Sequence, residues 1–140
     1  MESPRPKLAT TVLVFRDGKI LLGKRIGDAD GMFGTPGGHL ENLETFAEGA
    51  RREVMEEAGI EIENITPIGL TNIRQFAPRH YVLIILRADW KSGEVRTLEP
   101  DRCASWEWYD PREAPSPLTP ATQDAVHAFL YGQVFFDPVG

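Results

Sequence analysis

One stretch of this 140-residue chain constrains its fold more than any other: the run from Gly37 to Ile60. It predicts a glycine-rich loop feeding a helix over 44–58, from Glu44 to Ala58, with Gly59 placed to stop that helix in a left-handed conformation. Phe46, Ala47, Ala50, Val54 and Ala58 form an apolar stripe along it. At 3.6 residues per turn, Glu53, Glu56 and Glu57 share an arc of roughly 100°. Glu57 falls at the edge of the apolar stripe rather than opposite it. A solvated helix face would carry its acids away from the core.

Three carboxylates this close repel one another unless something positive lies between them. Hard cations such as magnesium bind oxygen ligands and keep several waters or phosphate oxygens in their shell. The Gly37-Gly38 pair brings bare backbone close to such a shell, where a carbonyl adds a further ligand. Arg52, on the same helix, is placed to orient or partly neutralise the acids. The bland alternative is a solvated Glu-rich helix whose preceding glycines serve only a turn. That alternative suffices for any two of the glutamates but not for the whole constellation.

The remaining pattern supplies strands on both sides of this helix. Residues 9–15 are apolar and β-branched, Asp17-Gly18 turns the chain, and 19–24 return as a hairpin partner. Glycine and proline from Gly27 to Gly38 predict a loop. Two further strands are expected at 66–75 and 80–90, joined around Pro78, and Val82 to Leu86 reads as a central strand covered on both faces. Residues 91–100 read as an exposed loop and 105–109 as a short strand. Thr119-Pro120 opens a last helix, threonine as cap and proline in the first turn, that ends at Gly132. These elements predict an α/β fold with a mixed sheet between helices. Residues 1–7 are expected as a tail and 8–140 as a single domain.

Net charge is −6, the wrong sign for a protein that grips nucleic acid by neutralising phosphates. An acidic site accepts a phosphorylated small molecule when divalent cations bridge the two. No apolar run approaches membrane-spanning length, and the first residues lack the apolar core of a secretory signal. Cys103 is the only cysteine, so the reducing cytoplasm is the expected setting and a small semi-buried role the expected one.

The segment Gly38–Ile60 resembles the Nudix hydrolase signature at every fixed position: glycine, five residues, Glu44, seven residues, then Arg52-Glu53-Val54-Met55-Glu56-Glu57-Ala58-Gly59-Ile60. The resemblance implies an α/β/α sandwich and hydrolysis of a nucleoside diphosphate linked to a further group. It also implies magnesium, with manganese able to substitute. Glu53, Glu56 and Glu57, with Gly37, are then the expected metal ligands, and Glu44 and Arg52 the residues that support them. Leu21 to Arg25, Pro36 to Glu41, His80 to Val82, Glu99 to Cys103 and Trp106 to Trp108 look like the MutT-like branch. They are most similar to its thiopurine-nucleotide diphosphatases, which implies triphosphate cleavage to monophosphate and pyrophosphate, and a homodimer by analogy. Leu43 departs from the pattern by replacing the usual glycine.

Further expected site residues lie outside the helix. Glu99, in a loop, helps bind metal or deprotonates water, and either Glu53 or Glu99 is the base. Arg25 reaches the substrate phosphates, Gly37, Gly38 and His39 lie against the substrate, and Phe33 and Leu118 offer apolar surface to a base. His80 and His127 read as structural, and Trp106 and Trp108 as core. ADP-ribose, nucleotide sugars and cytidine nucleotides are the alternative substrates, and a nucleotide sensor is the non-catalytic alternative.

Overall fold

The computed structural model describes residues 4–138. The elements run β1 (Lys7–Arg16), β2 (Lys19–Arg25), β3 (Phe33–Gly34), β4 (Gly37–His39), α1 (Phe46–Ala58), β5 (Glu61–Phe76), β6 (Arg79–Ser92), β7 (Cys103–Tyr109), a 3-10 turn (Pro111–Glu113), α2 (Pro120–Tyr131) and β8 (Phe135–Phe136). They form one mixed sheet in the order β3-β2-β1-β6-β5-β8, with β4 also on β1 and β7 on β2. β1 and β6 run parallel through the middle, and β5 pairs antiparallel with β6.

Alternation along β1 builds the two cores. Val12 and Val14 join Ala50, Val54 and Ala58 of α1 on one face. Leu13 and Phe15 join Ala125, Val126 and Ala128 of α2 on the other. Successive strand side chains point to opposite faces, so a strand buried on both sides reads as one apolar run. β6 is such a strand: Ile85 and Leu86 are buried on opposite faces. The predicted sandwich of helix, mixed sheet and helix is the observed architecture.

Both helices start and stop where their caps dictate. Thr45 accepts from the Glu48 amide at 3.1 Å, and Glu48 accepts from the Thr45 amide at 3.0 Å. This reciprocal box starts α1 at Phe46, two residues after the expected Glu44. Gly59 at φ 71° closes it, donating to the Met55 carbonyl. Thr119 caps α2 with Pro120 in the first turn, as expected.

Several expectations are corrected. The loop from Gly27 to Gly38 contains two short strands, β3 and β4, because β1 outruns its hairpin partner and leaves its first half free to pair. The first strand begins at Lys7, inside the expected tail, paired with Tyr81. β5 starts at Glu61, five residues early, and its register slips at four places, which blurs its alternation. β8 was not foreseen, since two residues carry no periodicity. Phe46, assigned to the apolar stripe, is 42% exposed, and Gly49 takes the buried place beside Ala50. No helix among the described residues is long and apolar enough to cross a membrane.

Leu43 occupies the left-handed region at φ 66° and is 94% exposed. A leucine there strains against its own carbonyl and gains no packing in return. Leu43→Gly should therefore raise unfolding free energy by about 0.5–1 kcal/mol, glycine's looser unfolded state offsetting part of the relief. Chemical denaturation measures this, and an unchanged or lower midpoint would contradict the strain.

Candidate active site

β4 is the hinge of the site. It takes over from β2 as the neighbour of β1, pairing Ala9, Thr10 and Thr11 with His39, Gly38 and Gly37. A Cβ on Gly37 would meet the Thr10 carbonyl oxygen at 2.2 Å, and φ at Gly37 is 150°. A Cβ on Gly38 would meet the Glu53 carboxylate carbon at 2.7 Å. Gly37 demands glycine because backbone approaches this closely at a positive φ, whereas a side chain at Gly38 would displace the Glu53 carboxylate from its place.

The Gly37 amide donates to Glu57 Oε2 at 3.1 Å, tying the inner edge of α1 to β4. Burial first, and then the negative charges of Glu53 and Glu99, push the Glu57 carboxyl up to about 9 against the pull of that amide. Glu99 comes within reach because the loop before β7 docks on the end of α1. Arg96 donates to the Ala58 carbonyl at 2.9 Å, Leu98 to the Glu57 carbonyl at 3.4 Å, and Trp106 Nε1 to the same carbonyl at 3.2 Å. The expected exposed loop is thus partly laid against the helix, and Glu99 is half-buried.

Arg52 gathers the other acids. Its Nε and Nη2 meet the two oxygens of Glu44 at 2.7 and 3.0 Å, a bidentate pair. Its Nη1 meets Glu53 at 2.8 Å and Glu56 at 3.4 Å, and Nη2 also donates to the His39 carbonyl at 3.1 Å. The Arg52 guanidinium, helped by the Glu41 amide, holds the Glu44 carboxyl down to about 2. Arg52 therefore anchors the glycine strand to the helix and stays charged. Glu56 stands outermost, its side chain 53% exposed.

On the α2 side of β4 lies a cavity of about 360 Å³. Arg25, Gly37, Gly38 and His39 line it, and Phe33 and Leu118 do not. In β3 alternate residues face opposite ways: Gly34 faces the cavity, while Phe33 packs edge-on against Tyr109 at 6.0 Å. Leu118 packs with the α2-side core. Arg25 Nε is buried without a hydrogen-bond partner. Cavity residues not singled out from the sequence include Thr11, Thr35, Thr122, Tyr81 and Arg79. The polar Thr10-Thr11 pair inside an otherwise apolar strand was their one visible signal. His80 bonds Asn72, and exposed His127 packs by Tyr131, both away from the site. Cys103 is buried at 6% exposure, deeper than expected, and burial raises its thiol.

Among the described residues no three acids, histidines or cysteines already stand as a closed metal cage. The donors present nevertheless fit a hard cation. Glu57, Glu53 and Glu99 offer only oxygen, and the charges of Glu53 and Glu99 both bear on Glu57. Magnesium, which keeps most of its shell as water and phosphate oxygen, needs few protein ligands.

Fold and site together define a two-helix sandwich with an acid-edged cleft where its central strand changes partners. The chain belongs to the NUDIX family, whose NUDIX domain model matches residues 5–129. Proteins named as hydrolases, a MutT one among them, are similar to it. It is 33% identical over 106 residues to the oxidized purine nucleoside triphosphate hydrolase of Danio rerio, an alignment covering 74% of this chain and 66% of that protein. It is 32% identical over 106 residues to the NAD-capped RNA hydrolase NudC of Photorhabdus laumondii, covering 74% of this chain and 40% of that one. The chain thus spans less than two thirds of the length of these relatives. A MutT NUDIX hydrolase from Burkholderia pseudomallei superposes with a TM-score of 0.82 at 35% identity, over 89% of this chain and 98% of that one.

The raised Glu57 carboxyl sets a pH dependence for the metal-free protein. Its ordinary value is 4.5 and its folded value about 9. Between these the folded state holds a proton that the unfolded state has released, so this group's contribution falls as pH rises from about 5 to 9. In chelator, the stability advantage of Glu57→Gln over wild type should widen across that window. A constant difference in denaturation midpoint from pH 5 to 9 would rule this out.

Proposed function

We propose that this protein hydrolyses nucleoside triphosphates to a nucleoside monophosphate and pyrophosphate, with magnesium as the divalent cation. The observation that carries this reading is the juxtaposition across Gly37-Gly38. Carboxylates crowd one side, a nucleoside-sized cavity opens on the other, and Arg25 lies at the cavity wall with an unsatisfied Nε. A volume of about 360 Å³ lies within the ordinary range for small-ligand pockets. The named activity of the zebrafish relative supports a triphosphate.

In this reading Glu53, Glu56 and Glu57, with the Gly37 carbonyl, hold the cation. When bound, it neutralises charge developing on the phosphoryl oxygens. The Gly37 amide keeps Glu57 turned toward the cleft, and Arg52 keeps Glu53 and Glu44 in register with β4. Arg25 binds a phosphate oxygen by a charge-assisted hydrogen bond. Glu53 or Glu99 accepts the proton of the attacking water as its oxygen bonds to phosphorus and the bridging P–O bond breaks, releasing pyrophosphate. A diphosphate-bridged dinucleotide or ADP-ribose offers the same linkage, and the likeness to NudC makes it the second reading. The cytoplasm and a homodimer belong to the same proposal.

The test is a panel of nucleoside triphosphates, NAD, ADP-ribose and nucleotide sugars, with and without magnesium, products separated chromatographically. Monophosphate and pyrophosphate from a triphosphate, only with magnesium, is the expected result. Turnover of NAD or ADP-ribose alone would overturn the triphosphate reading and keep the site. Glu56→Gln and Glu57→Gln should each lower kcat by at least about 100-fold with the fold retained. Near-native turnover in either variant would remove that residue from the metal site. Arg25→Ala should raise KM about tenfold with a smaller change in kcat.

A further inference from the structure

Two separate walls of the cavity are joined at its mouth. One is the tip of the β2–β3 connection, residues 27–31, from which Asp28 and Ala29 line the cavity. The other is the start of β6, from which Arg79 and Tyr81 line it. Arg79 Nη1 donates to Asp28 Oδ2 at 3.1 Å, so one ion pair spans from wall to wall. The two side chains are 52% and 71% exposed, which places the pair at the opening and not at the floor.

The tip is a self-contained unit. The Gly27 amide donates to Asp30 Oδ1 and the Asp30 amide to the Gly27 carbonyl, both at 3.0 Å. The Met32 amide donates to the Ala29 carbonyl at 3.0 Å. Gly27 and Gly31 bound the tip at φ 81° and 80°, left-handed values that glycine holds without strain. A Cβ at either glycine would meet nothing within 4 Å, so neither end is wedged against the body. Among the described residues the tip's other hydrogen bonds stay within residues 25–32. The pair with Arg79 is therefore its polar tie to the opposite wall. An exposed ion pair is weak, because water and salt screen it and two side chains must be ordered to make it. A tie of that strength holds the mouth closed and still opens readily.

We propose that residues 27–31 are a lid over the cavity, latched by the Asp28–Arg79 ion pair, and that this latch gates the entry and release of the nucleotide. The proposal rests on the nucleotide reading above and deepens it. Asp28 and Arg79 act by holding each other, not the ligand, and a latch leaves a kinetic mark that a binding contact does not. Loss of a contact shows mainly in faster dissociation. Loss of a latch speeds association and dissociation together and leaves the equilibrium affinity in place. Charge steering gives a third pattern, in which loss of the Arg79 charge slows an anionic ligand.

The test is stopped-flow binding of nucleoside monophosphates in magnesium, which needs no turnover. Adenosine, guanosine, cytidine and uridine monophosphates are mixed with wild type, and the tightest binder is carried to the variants. Asp28→Asn and Arg79→Gln should each raise both rates about two- to fivefold and leave Kd within about twofold of wild type. The exchanged pair, Asp28→Arg with Arg79→Asp, should return both rates to within about twofold of wild type. Unchanged rates in the two single variants would overturn the latch. A rise in dissociation alone would make the altered residue a ligand contact and overturn it too. Slower association in Arg79→Gln would assign that residue to steering, with the same consequence, and so would an exchanged pair that fails to restore the rates. No binding of any monophosphate by wild type would overturn the nucleotide reading itself, and the gate with it.

Discussion

The narrow fit of Gly37-Gly38 between β1 and α1 is the constraint on which the rest of the site depends. On one side the Thr10 carbonyl leaves no room for a side chain, and on the other a side chain would push the Glu53 carboxylate out of place. Only bare backbone passes, and its amide at Gly37 is what Glu57 finds when it turns inward. The helix is drawn to the strand by a carboxylate rather than by apolar contact. Arg52 makes the same connection a turn earlier, through Glu44 and the His39 carbonyl.

This arrangement follows from how β1 is shared. Its second half pairs with β2 in the hairpin, and its first half is left to β4. Where the partner changes, the backbone of the glycine strand is open to both faces of the sheet. The carboxylates of α1 reach it from one face and the cavity beside α2 from the other. A reaction centre between a charged cluster and an apolar-walled cavity needs such a crossing point, and a sheet with uninterrupted pairing would not provide one.

The parts of this that were legible in the sequence are those written in local chemistry. The caps at Thr45, Gly59 and Thr119 and the hairpin at Asp17-Gly18 depend on neighbours within a few residues. The position of Glu57 at the edge of the helix stripe depends only on helical geometry. What stayed hidden depends on pairing between distant segments. β3 and β4 are too short to show a period, and β8 exists because Val134 and Phe135 reach the edge of β5. The orientation of Phe33 was unreadable because facing direction is undefined until a strand is known to exist there. The cavity threonines Thr11, Thr35 and Thr122 come from β1, the β3–β4 connection and α2, up to 111 residues apart in numbering from Thr11 to Thr122, and beyond the Thr10-Thr11 pair no local pattern announces them. The exposed place of Phe46 has a different cause: the helix begins at Phe46 itself, two residues later than its sequence pattern suggests.

Charge accounting at the helix then explains why the acids are useful rather than merely tolerated. Arg52 is engaged by Glu44, Glu53, Glu56 and Glu41 together, so one positive charge serves four negative ones. Glu57 lies beyond its reach, and the nearby charge of Glu99 adds to the cost of ionising it. A polyphosphate approaching alone meets this surplus as repulsion, and a cation approaching alone meets it as attraction. On the proposed reading the cleft therefore selects the cation-bound form of its substrate. Arg25 lies on the cavity side, where phosphate rather than metal would pass, and that division of charge is imposed by the same glycine strand that separates the two faces.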